Sequence, residues 1–276
     1  MKNIFDTHCH PHLNKEKNYE EIIKNFFENE WKYMTIVWTN PYTNKEVINI
    51  SKNYDWVFCS VWIHPCDVYD LDLEKTILEL ENMILKNKEK IVAIWECGLD
   101  YYWIEKDEKI NSLEEKYKNK IIKEKKNLQK IFFKAQLILA KEYNLPVIIH
   151  NRESKDDVLE ILKEMNFKNF IFHCYSENLE YANKLIKFAP DCKISFSGIV
   201  TFKSAKDIQE TAKSIDSKYI LAETDSPYLT PTPLRGKEEN EPAFTKYVVE
   251  KINELRWENC TEQILKNSLN IFWLKK

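Results

Sequence analysis

Five of the six histidines in this chain lie at the ends of short hydrophobic runs, where they could act together. They are His8, His10, His64, His150 and His173, and two acidic residues, Glu96 and Asp225, end further runs of the same kind. Imidazole nitrogens and carboxylate oxygens together bind divalent ions such as Zn²⁺ and Mn²⁺ without any thiolate. The residue types and their placement therefore predict a divalent metal centre.

His8 and His10 are the most local part of this pattern. They are two residues apart in "DTHCH", so an extended segment places both rings on one face, where neutral ring nitrogens can bind one cation. An isolated His-x-His is weak support, because a single histidine more often packs in a core or lies at the surface. The repeated placement at the ends of hydrophobic runs favours the interpretation as ligands.

Eight hydrophobic runs predict the strands that position these residues. The runs begin at residues 3, 33, 57, 90, 145, 170, 193 and 219. Each run is apolar almost throughout, which is typical of strands buried on both faces. Amphipathic stretches with helical periodicity lie between them. Strand and helix thus alternate about eight times, which predicts an α/β fold, a (β/α)₈ TIM barrel, in a single domain over residues 1–276.

In a barrel of this kind the C-terminal ends of the strands meet at one face. We therefore expect six metal ligands to converge there, namely His8, His10, Glu96, His150, His173 and Asp225. Six ligands exceed one tetrahedral site, whereas two ions bridged by Glu96 use them all. Two divalent ions about 3.5–4 Å apart can hold a hydroxide and stabilise the attacking and leaving oxygens of a displacement at phosphorus.

Four further residues have expected roles beside the bridging Glu96. Asp225 is expected to be both a ligand and the general base. Glu223, on the same side of the last strand, either orients a ligand from behind or forms a buried ion pair with a lysine. Arg152 either offers its guanidinium group to a phosphate or forms a structural ion pair. His64 either reaches a phosphate oxygen or hydrogen-bonds a group behind the ligands.

The composition indicates a folded protein with reduced cysteines. Hydrophobic residues make up 43% of the 276, and the formal net charge is −3, which excludes a disordered chain and a histone-like wrapping protein. Seven scattered cysteines include no Cys-x-x-Cys pair, which argues against a disulfide scaffold and a zinc ribbon. The sequence has no signal-peptide pattern and no apolar run of membrane-spanning length, so we expect a cytoplasmic monomer that does not bind membranes.

Two segments fall outside the alternation of strands and helices. Residues 105–126 form a charge-dense insert in which acidic and basic residues are interspersed. Such mixing favours a solvent-exposed helical extension over a nucleic-acid clamp. Residues 227–242 contain several prolines and follow the last predicted strand, so we expect a loop that covers the mouth of the barrel.

Eight short segments of the chain form an ordered series. They are "FDTHCH", "WIHP", "ECGLDYY", "LPVIIHNR", "FHCYS", "ISFSGIVTFK", "ETDSPYL" and "RGKEENEPAF". In order and spacing they resemble the TatD family of metal-dependent deoxyribonucleases, within the amidohydrolase-like barrels, over nearly the whole chain. The resemblance implies a TIM barrel with two divalent ions, Mg²⁺, Mn²⁺ or Zn²⁺, held by the same six ligands. It also implies hydrolysis of phosphodiester bonds at single-stranded DNA ends, as a 3′ to 5′ exonuclease with some activity on RNA.

The resemblance extends to residues that contact the substrate. It suggests that Arg235, Lys237 and Asn240, in the loop after the last strand, recognise phosphate. Tyr101 or Tyr102 could stack on a base, because every base offers an aromatic face. These residues complete the expected site for a nucleic-acid substrate.

Two other classes of function remain open at this point. A hydrolase of amide, lactone or aminoacyl-ester bonds, for example on aminoacyl-tRNA, would use the hydroxide held by the same metals to attack carbon instead of phosphorus. Several such barrels bridge their metals with a carboxylated lysine, whereas this chain has Glu96 there, which favours the phosphodiesterase. A non-catalytic nucleic-acid-binding protein is expected to have lost ligands, and all six are present. Fold alone does not decide between these functions.

Tryptophan is unusually common in this chain and glycine unusually rare. There are 8 Trp and only 3 Gly, whereas glycine averages about 7% of residues. Six tryptophans stand where relatives in the family often have glycine, namely Trp31, Trp38, Trp62, Trp95, Trp257 and Trp273. We therefore hypothesise that the gene comes from a bacterium that reads UGA as glycine, and that this sequence reads those codons as tryptophan. The alternative is genuine aromatic packing at these positions.

Overall fold

A computed structural model of the chain describes residues 4–29, 31–37, 44–61 and 63–274. Its centre is a sheet whose strands coincide with the eight hydrophobic runs of the sequence. The strands are β1 (Phe5–Cys9), β2 (Tyr33–Ile36), β3 (Val57–Val61), β4 (Ile91–Asp100), β5 (Val147–Arg152), β6 (Phe170–Phe172), β7 (Lys193–Phe196) and β8 (Ile220–Ala222). All eight predicted strands are therefore confirmed.

The strands form a nearly closed parallel barrel. They are arranged in chain order from β1 to β8, and each neighbouring pair is parallel. The first and last strands also approach each other, because the Asp225 N–H donates to the His8 carbonyl over 3.0 Å and Cys9 forms an isolated bridge with Ser226. The strands therefore all point to the same rim, and the predicted TIM barrel is confirmed.

Helices connect the strands and surround the barrel. Within the described ranges they are α1 (Tyr19–Glu28), α2 (Asn44–Lys52), α3 (Leu73–Lys86), α4 (Tyr102–Lys106), α5 (Glu108–Asn111), α6 (Glu115–Glu142), α7 (Lys155–Glu164), α8 (Leu179–Phe188), α9 (Lys206–Ser214), α10 (Thr245–Arg256) and α11 (Thr261–Ile271). None of them, in the part of the chain that is described, is long and apolar enough to cross a membrane.

Several helices begin at residues that accept a hydrogen bond from the first turn. Asn18 accepts from the Glu21 N–H before α1, and Asp72 and Asn178 do the same before α3 and α8. Such N-cap side chains satisfy N–H groups that have no partner within the helix. The bounds of these connecting helices are thus encoded locally.

Glycine is required where β4 and β5 run side by side. Gly98 is paired with His150 in the sheet, and a Cβ atom at position 98 would lie 2.0 Å from the His150 carbonyl oxygen. Its φ of +147° also lies in a region that favours glycine. This close pairing holds Glu96 and Asp100, two residues to either side of Gly98, next to His150.

The charged insert at residues 105–126 is helical. It spans the end of α4, all of α5 and the first part of α6. Its charges pair with each other, because Lys126 lies 2.7 Å from Glu105 and Lys125 lies 3.5 Å from Asp107. These internal pairs support a solvated extension rather than a basic surface. Residues 227–241, after β8, contain turns but no helix or strand, which agrees with the predicted loop.

Candidate metal centre

All six side chains that the sequence predicts as ligands lie together at the rim of the barrel. His8 is in β1 and His10 follows it, Glu96 is in β4, His150 is in β5, and His173 and Asp225 follow β6 and β8. Their nitrogen and oxygen atoms form a continuous series of contacts between 2.7 and 3.5 Å. Residues from five strand ends therefore form one polar cluster.

The first part of the cluster contains His8, His10 and Asp225. The Nε2 atoms of the two histidines are 2.7 Å apart, and Asp225 Oδ1 lies 3.2 Å from His8 Nε2 and 3.5 Å from His10 Nε2. His10 Nδ1 lies 2.7 Å from the Val37 carbonyl oxygen. Because a carbonyl only accepts, Nδ1 carries the proton and Nε2 is left to bind a cation.

The second part of the cluster is centred on Glu96. Its Oε1 atom lies 3.2 Å from His150 Nδ1 and 3.4 Å from His173 Nε2. The two parts meet where His173 Nδ1 approaches His8 Nδ1 at 2.8 Å. Glu96 thus contacts two histidines from different strands, which suits a carboxylate that bridges two ions.

Glu223 lies behind His173 and holds its ring. Its Oε1 atom lies 2.7 Å from His173 Nδ1 and also accepts from the Cys174 N–H, while Oε2 accepts from the Ser195 hydroxyl. Glu223 is fully buried. Of its two expected roles, these contacts favour the orientation of a ligand, since within the described ranges its ion pair is with a histidine and not with a lysine.

Asp100 has the same relation to His150, although the sequence pattern did not predict this role. Its Oδ2 atom lies 3.0 Å from His150 Nε2, and the side chain is 1% exposed. A signal was present, because residues 96, 98 and 100 share one face of an extended strand. The hydrophobic run ends at Glu96, however, whereas β4 continues to Asp100.

Three residues of the centre have backbone conformations that are rare for side chains other than glycine. Glu96, Cys174 and Asp225 have φ values of 41°, 43° and 56°. The pairing of β4 with β5 shifts register between Trp95 and Cys97, as at a β-bulge, a feature that often redirects a side chain beside an active site. Such strained residues cluster at functional sites.

The contacts also set the charges of the cluster. Burial lowers the pKa of His8, and the neighbouring His173 and His10 lower it further. Burial opposes ionisation of Glu96, but hydrogen bonds from His150 and His173 outweigh it and hold the pKa of Glu96 well below its usual range. Burial likewise disfavours protonated His150, yet its bonds to Asp100 and Glu96 raise its pKa to about 9. Neutral His8 and ionised Glu96 are the forms that bind cations.

The donor atoms of this cluster fit divalent metal ions. In each of two groups, His8 with His10 and Asp225, and His64 with Glu96 and His150, the donor atoms lie within 4.8 Å of one another. His64 contributes its ring 4.8 Å from that of His150, measured between centroids. Imidazole and carboxylate without thiolate is a donor set of Zn²⁺, Mn²⁺ and related ions.

Arg152 lies at the same rim, in a conformation that leaves its guanidinium group available to bind a phosphate. It is two residues after His150 at the end of β5, and its guanidinium carbon lies 3.9 Å from the ring centroid of Tyr102 and 5.3 Å from that of Trp103. Among residues 4–29, 31–37, 44–61 and 63–274 it forms no salt bridge with a carboxylate. The expected alternative of a structural ion pair is therefore not what this part of the structure contains.

The two tyrosines considered for base stacking are placed differently. Tyr101 is 5% exposed, and its hydroxyl donates to Asp157, so its ring is not free to receive a base. Tyr102 is partly exposed and lies under Arg152, next to Trp103, which is 55% exposed. An aromatic surface is thus present at Tyr102 and Trp103.

The loop after β8 holds the three remaining predicted substrate contacts. Arg235 and Lys237 are exposed, and the Arg235 guanidinium group stacks on Phe202 at 3.7 Å. Asn240 is fully buried, and its amide donates to the carbonyls of Thr224 and Tyr228. This placement favours a structural role for Asn240, which anchors the loop to the end of β8.

The known proteins that this chain resembles are metal-dependent hydrolases. The family model described as TatD related DNase matches residues 5–273. An uncharacterized metal-dependent hydrolase of Bacillus subtilis, YabD, is 38% identical over 92% of this chain and 91% of its own length. An uncharacterized metal-dependent hydrolase of Mycoplasma genitalium is 34% identical over 98% of each chain.

A solved structure with the same fold is YjjV, a TatD homologue from Escherichia coli. It has a TM-score of 0.83 and 22% sequence identity over 99% of this chain and 98% of its own. A TatD family hydrolase from Entamoeba histolytica follows with a TM-score of 0.79 and 19% identity, covering 99% of both chains. The chain belongs to the TatD related DNase family and is a metal-dependent hydrolase with a TIM-barrel fold.

Proposed function

We propose that this protein is a divalent-metal-dependent nuclease that hydrolyses phosphodiester bonds at single-stranded DNA ends in the cytoplasm. The observation that carries the proposal is the position of Glu96 between His150 and His173, at 3.2 and 3.4 Å, with His8, His10 and Asp225 alongside. This donor set suits two divalent ions, and paired ions are a recurring solution for displacement at phosphorus.

His8, His10, Glu96, His150, His173 and Asp225 would hold the two ions, which would supply Lewis-acid activation of water and of the phosphoryl group. Asp225 is 16% exposed, whereas the side chain of His8 is fully buried, so the Asp225 carboxylate faces the side from which substrate and water arrive. It can accept the proton of the attacking water as a general base. Glu223 and Asp100 keep the rings of His173 and His150 in place.

The substrate is positioned by the surface beside β4 and β5. Arg152, without a carboxylate partner in the described structure, can donate two parallel hydrogen bonds to a phosphate. Tyr102 and Trp103 offer aromatic faces on which an unpaired base can stack. A base held within a duplex cannot reach these faces. The expected substrate is therefore a single strand, with DNA as the main substrate and RNA as a second. The 3′ to 5′ direction rests on the family resemblance.

The test is hydrolysis of single-stranded DNA labelled at one end. With Mn²⁺ or Mg²⁺, 5′-labelled strands should give a ladder of shortening products and 3′-labelled strands should release the labelled nucleotide first. EDTA and Glu96→Gln should abolish both. Glu254→Gln is a matched control, because Glu254 is 70% exposed in a surface pair with Lys251.

Two results would contradict the proposal. One is that DNA and RNA stay intact in the presence of metal while the same preparation hydrolyses lactones or aminoacyl esters. This result would show that the centre acts at carbon instead of phosphorus. The other is full activity of Glu96→Gln, which would place the chemistry outside this cluster.

A further inference from the structure

Within the described residues, four helices end in the same backbone motif, and two of them have tryptophan where glycine is usual. The residues that follow α6, α7, α10 and α11 in this motif have φ between 45° and 56°, and they are Asn144, Asn166, Trp257 and Trp273. In each case the next N–H returns to a carbonyl five residues earlier, over 2.8–3.3 Å: Leu145 to Ala140, Phe167 to Leu162, Glu258 to Asn253 and Leu274 to Leu269. This is the Schellman motif.

The position with positive φ in this motif selects for glycine because of its geometry. A left-handed conformation places Cβ too close to the following carbonyl oxygen, so glycine is most common there and asparagine is the usual alternative. Asn144 and Asn166 follow this rule. Trp257 and Trp273 do not, and a bulky residue with positive φ is an outlier.

Little of either tryptophan is covered by the described residues. The side chain of Trp257 is 94% exposed and that of Trp273 is 64% exposed. Trp103 is also exposed, but it lies in α4 and stacks near Arg152. Trp257 and Trp273 have no aromatic or cation contact of this kind in the part of the chain that is described. Both indoles therefore combine an unfavourable backbone with a solvated apolar surface.

Trp95 presents a different conflict, inside the metal centre. It is fully buried, and its indole nitrogen has no hydrogen-bond partner in the described structure, although buried indoles usually find one. Its ring centroid lies 3.7 Å from that of His8 and 5.0 Å from that of His173. Trp95, the largest fully buried side chain of the described residues, therefore packs against two of the proposed metal ligands.

We propose that positions 95, 257 and 273 are glycine positions, that the functional protein carries glycine there, and that glycine at 95 leaves room for the ions beside His8 and His173. The three conflicts have one common cause if a codon that specifies glycine is read here as tryptophan. Trp31 is buried, and Trp38 and Trp62 lie outside the described residues. The inference about position 95 rests on the proposed metal centre, whereas the inference about positions 257 and 273 does not depend on it.

Thermal unfolding tests the helix ends independently of catalysis. Trp257→Gly and Trp273→Gly should each raise the melting temperature by a few degrees. The melting temperatures of both glycine variants should also exceed those of Trp257→Ala and Trp273→Ala, because alanine removes the same indole but retains Cβ. Trp103→Gly, at a helical position, should give no increase. Gly variants no more stable than the Ala variants would overturn the assignment at 257 and 273.

Metal analysis and the native gene test position 95. After equilibration with Mn²⁺ and gel filtration, Trp95→Gly should retain more ions per chain than the tryptophan form and Trp95→Phe. Equal metal content in all three would overturn the role given to position 95. If Trp95→Gly does not fold, the nucleotide sequence of the gene and the intact mass of the protein purified from its own source decide. UGA codons, together with a protein mass that fits glycine at these positions, support the proposal. UGG codons at 95, 257 and 273 overturn it. A nuclease assay that failed would leave these results unchanged.

Discussion

His173 Nδ1 lies 2.7 Å from Glu223 Oε1, so a fully buried carboxylate fixes the ring of a metal ligand from behind. Asp100 and His150 repeat this relation at 3.0 Å. Such outer carboxylates set the tautomer and basicity of the ligand, and their loss typically weakens metal binding about 10–100-fold.

We therefore expect Glu223→Gln and Asp100→Asn each to weaken Mn²⁺ binding about 10–100-fold, measured by competition with a chelator. Glu241→Gln is the matched control, because Glu241 is a buried carboxylate whose partners are Lys17 and Asn25 rather than a ligand. Unchanged affinity in both variants would show that these carboxylates do not support the metal centre.

Asp225→Asn should leave the fold intact and lower hydrolysis by several orders of magnitude. A neutral amide cannot accept a proton from water and is a poorer metal ligand, and loss of a general base alone costs about 10²–10⁴-fold. Rates of DNA hydrolysis should be compared at saturating metal, with melting temperature as the check on folding. Activity within about tenfold of the parent would remove Asp225 from the mechanism.

His8→Ala combined with His10→Ala should remove one bound ion and leave the other. Asp225 alone is left of the part of the cluster that contains His8 and His10, whereas Glu96 keeps its contacts with His150 and His173. Elemental analysis of the purified variant should give about half the metal content of the parent. Undiminished stoichiometry would contradict the assignment of two ions.

Metal binding should become tighter as the pH rises towards about 9. Hydrogen bonds to Asp100 and Glu96 outweigh burial and raise the pKa of His150 to about 9, so in metal-free protein its ring is protonated below that pH and a cation must displace the proton. Calorimetry in buffers of different ionisation enthalpy should detect proton release at pH 7. No proton release, with an affinity that is flat above the ordinary histidine pKa of about 6.5, would contradict this.

The sequence was most informative where local patterns determine structure. Continuous apolar runs predicted all eight strands, and the two-residue spacing of His8 and His10 placed both rings in contact. Strand ends meet at one rim in any parallel barrel. The convergence of ligands therefore followed from topology, without knowledge of packing.

The rest depended on contacts between distant segments. The role of Asp100 depends on the extension of β4 beside β5, which requires Gly98 against the His150 backbone. The burial of Asn240 depends on how its loop folds back on β8. The spacing of residues 96, 98 and 100 puts Asp100 on the same face as Glu96, but only the contacts between distant segments bring Asp100 to His150 and bury Asn240.

The most direct test of the metal centre is anomalous diffraction from crystals equilibrated with Mn²⁺, using the form of the protein that binds metal most tightly. We predict two peaks about 3.5–4 Å apart, with Glu96 between them, His8 and His10 at one, and His150 at the other. A single peak, or peaks away from Glu96, would contradict the central claim that these strand ends form a two-metal centre.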